Sequence, residues 1–153
     1  MLFRSLWLTN SYFVSRQCPY SRRFYEFAEV QLTPENMEII AQFAALAARM
    51  HEQGILHRDF SPGNILFDQV EGKWHFSLVD TNRMYFGPVS VRRGCENFAR
   101  LWGQTCFFEL LALKYAEARG ANAADCLKWM LAARKKFWSR YIRRHGRPFA
   151  IDL

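Results

Sequence analysis

The stretch HRDFSPGNILFDQVEGKWHFSLVD, residues 57–80, decides the fold of this chain. Within it, Asp59 is followed five positions later by Asn64, and Asp80 closes an alternating run that is typical of a β-strand. A tight turn between Asp59 and Asn64 is predicted by the intervening proline and glycine, so that both side chains point into one cleft. The stretch therefore predicts three oxygen-bearing side chains that share one site.

A β-hairpin is predicted to hold this site together. The alternating run from Lys73 to Val79 predicts a half-buried strand, which pairs with Ile65 to Phe67 through a turn over Asp68 to Gly72. Antiparallel pairing places the start of one strand beside the end of the next. Asn64 and Asp80 should therefore lie next to each other.

The three side chains suit phosphoryl transfer from ATP to a hydroxyl. That reaction depends on positioning and on neutralisation of charge more than on covalent help from the protein. The amide oxygen of Asn64 and the carboxylate of Asp80 are hard ligands of the kind that Mg²⁺ accepts, and Asp59 is placed to take the proton of the acceptor hydroxyl. The alternative, ordinary turn and cap residues, leaves the preceding His57-Arg58 pair unexplained.

The same residues carry a resemblance to a known family. His57-Arg58-Asp59 and Asn64 resemble the catalytic loop of the protein-kinase-like superfamily, and Asp80 resembles the magnesium-binding Asp of its D-F-G motif. The longer text is similar to the bacterial lipopolysaccharide kinases that phosphorylate sugars of the inner core. Three segments carry this similarity, namely HRDFSPGNILF, SLVDTNRM and GCENFARLW.

The resemblance implies both a fold and an activity. The implied fold is α+β, the C-terminal lobe of a protein-kinase-like domain, mostly helical with a short catalytic-loop hairpin. The implied activity is that of a cytoplasmic bacterial kinase, which uses ATP and Mg²⁺ and acts on a sugar or lipopolysaccharide acceptor. Asp59 is then the catalytic base, and Asn64 and Asp80 are the metal ligands.

Departures from the protein-kinase pattern favour a small or sugar acceptor. Ser61 stands where Ser/Thr protein kinases carry a lysine, and Thr81-Asn82 follow Asp80 in place of Phe-Gly. About 14 residues separate Asp80 from the next helical pattern near Gly94, with no A-P-E sequence. A protein-kinase activation loop hardly fits this segment.

The small lobe of the kinase is expected to be largely absent. Residues 1–18 are interpreted as a remnant, with strands over Leu2 to Leu8 and Tyr12 to Val14, and residues 19–153 as the large lobe of a single domain. Gln17 to Tyr20 is the predicted hinge for the nucleotide base. The first glycine is Gly54 and the first lysine is Lys73, so a glycine-rich phosphate loop with its strand lysine cannot precede the catalytic loop. We expect a truncated rather than a natural single-lobe chain, nearly inactive alone.

Composition fits one compact domain. The chain has 153 residues, of which 50% are hydrophobic, and no targeting segment or membrane span is predicted. The four cysteines have neither zinc-site nor disulfide spacing, so they are predicted to be reduced and mostly buried, as in the cytoplasm.

Three long helices are predicted. The first begins at Thr33-Pro34-Glu35 and stops at Gly54, apolar nearly all round and therefore central. The second runs from about Gly94 to Gly120 and the third to Gly146. Their aromatic residues, including Phe137 and Tyr141, are interpreted as core.

The histidines are interpreted as structural or exposed. His57 follows two apolar residues and is predicted to be buried, holding the catalytic loop by hydrogen bonds, with Arg58 as a second brace. His75 is predicted to face solvent, and His51 to belong to a helix.

The last helix is strongly basic. Between Lys128 and Arg147 there are eight Lys or Arg and no Asp or Glu. A solvated basic face is one interpretation. The other is contact of Arg140, Arg143 and Arg144 with anionic material, either the inner membrane leaflet or the lipopolysaccharide inner core. No nucleic-acid partner is expected, because no recognition motif is present.

Three functional hypotheses remain open at this point. The first is the catalytic lobe of a lipopolysaccharide core-sugar kinase. The second is a non-catalytic kinase-like module that binds a partner or an anionic surface. The third is an aminoglycoside-type small-molecule phosphotransferase.

Overall fold

The computed structural model describes residue 14, residues 16–29 and residues 31–153. The predicted strand over Leu2 to Leu8 lies outside the described residues, as does that over Tyr12 to Val14 except for Val14. The described part is α+β, as predicted. In chain order its strands are β1 (Arg22–Arg23), β2 (Ile55–His57), β3 (Ile65–Val70), β4 (Lys73–Leu78) and β5 (Met84–Phe86). Its α-helices are α1 (Pro34–Glu52), α2 (Val91–Asn97), α3 (Thr105–Arg119) and α4 (Ala123–His145).

The predicted hairpin is present and is longer than expected. β3 pairs with β4 in antiparallel register, from Ile65 opposite Leu78 to Val70 opposite Lys73. The predicted turn over Asp68 to Gly72 is wrong, because Glu71 and Gly72 alone make the reversal. Both have positive φ, 52° and 74°, which a two-residue hairpin turn requires. β1 adds a third strand along β3.

A second small sheet was not predicted. β2, directly before the catalytic loop, pairs with β5, with Leu56 opposite Tyr85. Gly54 and Gly87 close its end, where the Gly87 N–H donates to the Gly54 carbonyl over 2.8 Å. A Cβ on Gly54 would stand only 2.8 Å from the Gly87 carbonyl oxygen. This sheet returns the chain after Asp80 to the side of the catalytic loop.

Helix α1 begins where its capping residues predict. The Thr33 hydroxyl accepts a hydrogen bond from the Asn36 N–H, and Pro34 occupies the first turn. Its buried side is formed by Ile39, Ile40, Phe43 and their helical neighbours, whereas Met37 is exposed, so the helix is buried on one side rather than all round. Its largest contact is with α3, which makes α1 the central helix.

The helix predicted from Gly94 to Gly120 is interrupted, which corrects the prediction. α2 and a 3-10 turn end at Arg100, the chain is extended over residues 101–104, and α3 then begins at Thr105. Gly103 has φ of 155°, and a Cβ there would lie 2.7 Å from the Phe107 ring. The segment needs glycine because the chain passes so close to this ring. The predicted stop at Gly120, which has a left-handed conformation, is confirmed.

Helix α4 ends at Gly146 as predicted, but its charges are not all on the surface. Arg134 is 2% exposed, and it donates to the Gly103 carbonyl over 2.6 Å and to the Asp152 carboxylate over 2.9 Å. Burial lowers the pKa of Arg134, while the contact with Asp152 opposes that change. Arg134 therefore belongs to the interior and fastens the C-terminal segment to α4.

The core is built largely from aromatic rings. Phe24 contacts Phe43 at a centroid distance of 4.2 Å and meets Phe67 edge to face at 5.6 Å. Phe60 of the catalytic loop is 1% exposed and stacks on Phe43 at 5.5 Å. The loop that carries Asp59 is therefore anchored in the core by its next residue.

The four cysteines are free thiols, as predicted. Cys95 and Cys126 are buried, whereas Cys18 and Cys106 are only half-buried, so the expectation that most are buried holds for two of them. Among the described residues, no helix has both the length and the apolar character to cross a membrane.

A buried chain of polar groups runs from α3 to α2 through His51 of α1. The Tyr115 hydroxyl and the His51 Nδ1 atom lie 2.9 Å apart, and His51 Nε2 lies 3.2 Å from the Asn97 Oδ1 atom. Because the Asn97 oxygen can only accept, His51 carries its proton on Nε2, and its Nδ1 accepts from Tyr115. Arg119 donates to the same hydroxyl over 2.8 Å. Burial, helped by the charge of Arg119, lowers the pKa of His51 to about 4 from its ordinary 6.5.

Acid should destabilise the fold through His51. As the pH falls below about 6.5, the unfolded chain binds a proton at this residue and the folded chain does not, so the free energy of unfolding decreases until about pH 4. The full decrease is roughly 3 kcal/mol. We expect urea denaturation between pH 7 and pH 4 to show it.

Two variants isolate this effect. His51→Gln should have a much flatter pH dependence of the unfolding free energy, because the titrating group is gone. The exposed His75→Gln should keep the parent's slope. Equal slopes in all three proteins would contradict the assignment.

Candidate active site

His57 is the buried residue around which the site is built. Its Nδ1 atom accepts a hydrogen bond from the Asp59 backbone N–H over 3.1 Å. Its Nε2 atom must then carry the proton, and it donates to the Val79 carbonyl oxygen over 2.9 Å. With both ring nitrogens engaged and 0% exposure, His57 holds the catalytic loop against the strand end that leads into Asp80.

Asn97 of α2 adds a third element to this arrangement. Its amide nitrogen donates to the His57 carbonyl oxygen over 2.9 Å, and its amide oxygen accepts from His51. Both ends of the side chain are therefore used. Asn97 connects the catalytic loop to the buried polar chain of α1 and α3.

Asp59 lies at the surface of the loop, partly exposed. One of its carboxylate oxygens, Oδ1, forms an ion pair with Arg100 Nη1 over 2.6 Å. The Arg100 guanidinium also lies 5.2 Å from the centre of the Phe137 ring on α4. Arg100 thus sits between the carboxylate and helix α4, and the second oxygen, Oδ2, makes no hydrogen bond within the described residues.

Asn64 closes the turn that follows Asp59. Pro62–Asn64 form a 3-10 turn, the tight turn that the sequence predicts. The Asn64 amide nitrogen donates to the Asp59 carbonyl oxygen over 2.9 Å, which leaves the amide oxygen to face another group. The Val79 N–H donates to the Asn64 carbonyl over 3.0 Å, so Asn64 lies opposite the residue before Asp80.

Asp80 has a left-handed backbone conformation, with φ of 57° and ψ of 48°. Residues other than glycine adopt it rarely, although Asp tolerates it better than most. Its carboxylate is exposed and makes no hydrogen bond to the 3-10 turn that it precedes. The conformation turns the chain sharply away from β4 immediately after the strand pairing ends.

The donor set fits a magnesium ion that is also held by other ligands. One carboxylate oxygen and one amide oxygen are hard donors, and Mg²⁺ retains water and phosphate oxygens around such a pair. The described residues contain no group of three or more His, Cys, Asp or Glu side chains suited to a metal ion. Asp80 and Asn64 would therefore hold the ion only together with nucleotide phosphates and water.

The other predicted residues are placed as follows. Arg58 is exposed, and its guanidinium lies 5.8 Å from the centre of the Tyr85 ring on β5. Residues 17–20, the predicted hinge, have no helix or strand. Arg140, Arg143 and Arg144 are exposed near the end of α4. Within the described residues, none of these three arginines forms a hydrogen bond or ion pair with the catalytic loop.

Arg100 and Asn97 are the residues that sequence reasoning missed. Both lie in the segment GCENFARLW, which carries part of the family resemblance, and Asn97 and Arg100 are its only polar side chains besides Glu96 and Cys95. A polar residue at a helical position facing the core was the available indication. The 40 residues between Asn97 and His57 concealed the contact.

The chain is similar to known kinases. A family model described as the lipopolysaccharide kinase (Kdo/WaaP) family matches residues 25–106, which is more than half of the chain. The chain is also similar to a protein named putative ribosomal protein S6 kinase alpha-2 from Caenorhabditis elegans, at 28% identity over 92 residues. That match covers 60% of this chain and 11% of the length of the relative.

Replacing His57 by phenylalanine should loosen the site while filling the same space. The Asp59 N–H and the Val79 carbonyl would lose their partners, and leaving two such groups unpaired costs roughly 2–5 kcal/mol. We expect that decrease in the free energy of unfolding by urea, together with faster hydrogen exchange at the Asp59 amide.

The control is His75→Phe, the same substitution on the exposed face of β4. It should change the unfolding free energy by less than about 0.5 kcal/mol. If both variants behave alike, His57 does not hold the loop.

Proposed function

We propose that this chain, which belongs to the lipopolysaccharide kinase (Kdo/WaaP) family, carries the phosphate-transfer site for a sugar hydroxyl of the lipopolysaccharide inner core. The observation that carries the proposal is the set of hydrogen bonds made by His57, Asn64 and Val79. These bonds bring the loop of Asp59 and the strand end before Asp80 to one place. We take residues 19–153 as the large lobe of a single kinase-like domain.

Asp59 is proposed as the catalytic base. Arg100 engages its Oδ1 atom, which fixes the direction of the carboxylate and leaves Oδ2 for the hydroxyl of the acceptor. A base within hydrogen-bond reach of the hydroxyl orients it and accepts its proton as the acceptor oxygen bonds to the γ-phosphorus of ATP and the bond from that phosphorus to the leaving ADP oxygen breaks. His57 and the Asn64 amide keep the backbone of Asp59 in place during this transfer.

Asn64 and Asp80 are proposed as the ligands that would hold Mg²⁺. When bound, the ion neutralises the charge that develops on the ATP phosphates. The two side chains would hold the ion from the turn before β3 and from the residue that follows Val79 at the end of β4. The nucleotide base is proposed to contact the segment Gln17 to Tyr20.

The 153 residues alone are expected to transfer phosphate slowly. The first glycine is Gly54 and the first lysine is Lys73, so the chain contains neither a glycine-rich phosphate loop nor its lysine ahead of the catalytic loop. Lost phosphate contacts weaken transition-state stabilisation by roughly 3–4 kcal/mol each. The exposed Arg140, Arg143 and Arg144 of α4 favour a second candidate function, a kinase-like module that binds an anionic ligand without transferring phosphate.

The proposed acceptor also suggests a location. ATP and the Mg²⁺ that it binds are found in the cytoplasm, and an inner-core sugar attached to lipid lies at the inner membrane. We therefore propose a cytoplasmic enzyme with peripheral contact at that membrane.

Binding and transfer assays test the metal ligands and the base. We expect calorimetry to show binding of Mg·ATP that Asp80→Ala abolishes, because the variant lacks the carboxylate ligand. Transfer of labelled phosphate to inner-core oligosaccharide should fall by about 100-fold or more in Asp59→Asn. Asp125→Asn, in the exposed first turn of α4, should match the parent in both assays.

The two candidate functions differ in these results. Phosphate transfer that depends on Asp59 supports the kinase. Nucleotide binding without transfer supports the non-catalytic module. Binding that Asp80→Ala leaves unchanged contradicts the metal assignment.

Arg100 should influence catalysis through the orientation of Asp59. Arg100→Ala should lower kcat by about tenfold or more, since it removes a charge-assisted hydrogen bond. The KM for ATP should stay the same, because Arg100 contacts neither proposed metal ligand. Arg100→Lys should recover part of the rate, and the exposed Arg143→Ala is the charge-matched control. A change in the KM for ATP with unchanged kcat would contradict the role in orientation.

A further inference from the structure

A groove lies between helices α2 and α4, which pack against each other. It has a volume of about 520 Å³, within the range of small-molecule sites. Arg92 and Glu96 of α2 form one wall, and the other wall is a stripe of α4 between Trp129 and His145. We call this the helix groove.

The α4 wall consists of two parallel rows of side chains. Lys136, Arg140 and Arg144 are spaced four residues apart and form a cationic row. Phe137, Tyr141 and His145, each one residue further on, form an aromatic row. Neighbouring rings in this row have centroid distances of 6.1 Å and 4.8 Å. Tyr141 is exposed, which corrects its interpretation as a core residue, whereas Phe137 is half-buried and packs against the buried cluster of Trp138, Phe149 and Ile151 while one side of it lines the groove.

The groove carries excess positive charge. Glu96 is the one carboxylate in its lining, and it is already paired with Arg92 over 3.0 Å. The three members of the cationic row form no ion pair within the described residues. An anion in the groove would therefore meet unpaired positive charges, with guanidinium groups suited to carboxylate or phosphate.

The aromatic row leads from the groove to the catalytic loop. Phe137 is its first member, and the Arg100 guanidinium lies 5.2 Å from the centre of that ring. The same guanidinium contacts the Asp59 carboxylate over 2.6 Å. The lining of the groove is thus connected to the proposed base through one residue, Arg100.

We propose that the helix groove binds an acidic sugar, carboxylated or phosphorylated, that belongs to the acceptor. Its anionic group pairs with the cationic row, and the apolar face of its ring packs on the aromatic row. This inference rests on the proposed function, because it assigns the groove to the acceptor whose hydroxyl reaches Asp59.

A sugar fits the groove better than a lipid surface does. Arg143 and Lys135 are as exposed as the cationic row but lie outside the groove lining. A flat anionic bilayer would be attracted by all of these charges in proportion to their number. A concave site with rings beside cations selects a compact ligand with an anionic group.

The test is a binding titration of the whole chain without ATP or Mg²⁺. The indole N–H signal of Trp129, identified with Trp129→Phe, is followed by NMR as glucuronate, glucose 6-phosphate or glucose is added. We expect saturable shifts with both acidic sugars and weaker binding of glucose. Lys136→Ala and Arg140→Ala should each raise the Kd by roughly five- to tenfold.

The matched controls are Lys135→Ala and Arg143→Ala, which remove the same charges from neighbouring positions on α4. They should leave the Kd within about twofold of the parent value. Two results would contradict a sugar site in the groove: all four variants weaken sugar binding equally, or all four equally reduce binding to phosphatidylglycerol vesicles. Either result would indicate that α4 instead contacts an anionic surface. Equal affinity for glucose would overturn the requirement for an acid.

The two acidic probes distinguish the sources of the charge. Stronger binding of glucuronate assigns the groove to a carboxylated sugar, and stronger binding of glucose 6-phosphate to a phosphorylated one. Because no nucleotide is present, failure of phosphate transfer does not affect this result. The converse result is that the Lys136 and Arg140 variants transfer phosphate at the parent's rate while no sugar shifts the Trp129 signal. That result would contradict the sugar site in the groove and leave the proposed kinase activity standing.

Discussion

The geometry of the candidate site depends on the imidazole of His57. A neutral ring has one donor and one acceptor, and here the acceptor takes the Asp59 N–H while the donor reaches the Val79 carbonyl. The ring is fully buried, where an unpaired polar group is expensive. Either contact alone would leave a nitrogen without a partner, so the two contacts support one another. The catalytic loop and the end of β4 are in this way joined through a single side chain.

The surrounding fold keeps that histidine in place. Phe60, next to Asp59, enters the aromatic core beside Phe43, and Asn97 holds the His57 carbonyl from the other side. Asn97 is in turn fixed by His51, whose low pKa keeps it neutral and suited to this network. Packing and polar contacts therefore act on the same loop. The helical core is the support on which the three polar residues of the site are positioned.

Arg100 links this site to helix α4. The 3-10 turn that follows α2 ends at Arg100, and the Arg100 side chain spans from Asp59 to Phe137 of α4. Arg100 therefore contacts both the proposed base and Phe137, which lines the proposed acceptor groove.

Local sequence determined where helices begin and end and where the hairpin forms. Thr33 and Pro34 set the start of α1, Gly120 and Gly146 set two helix ends, and the alternation after Lys73 set the hairpin that places Asn64 near Asp80. These features follow from backbone conformation and periodicity within a few residues, and so does the resemblance carried by His57 to Asn64. Tertiary structure alone decided the break near Gly103, the burial of Arg134, and the contacts of Asn97 and Arg100. The contacts of Arg134, Asn97 and Arg100 depend on partners that lie 18 to 46 residues away in the chain, and no local pattern encodes which distant group a polar side chain will meet once the core has packed.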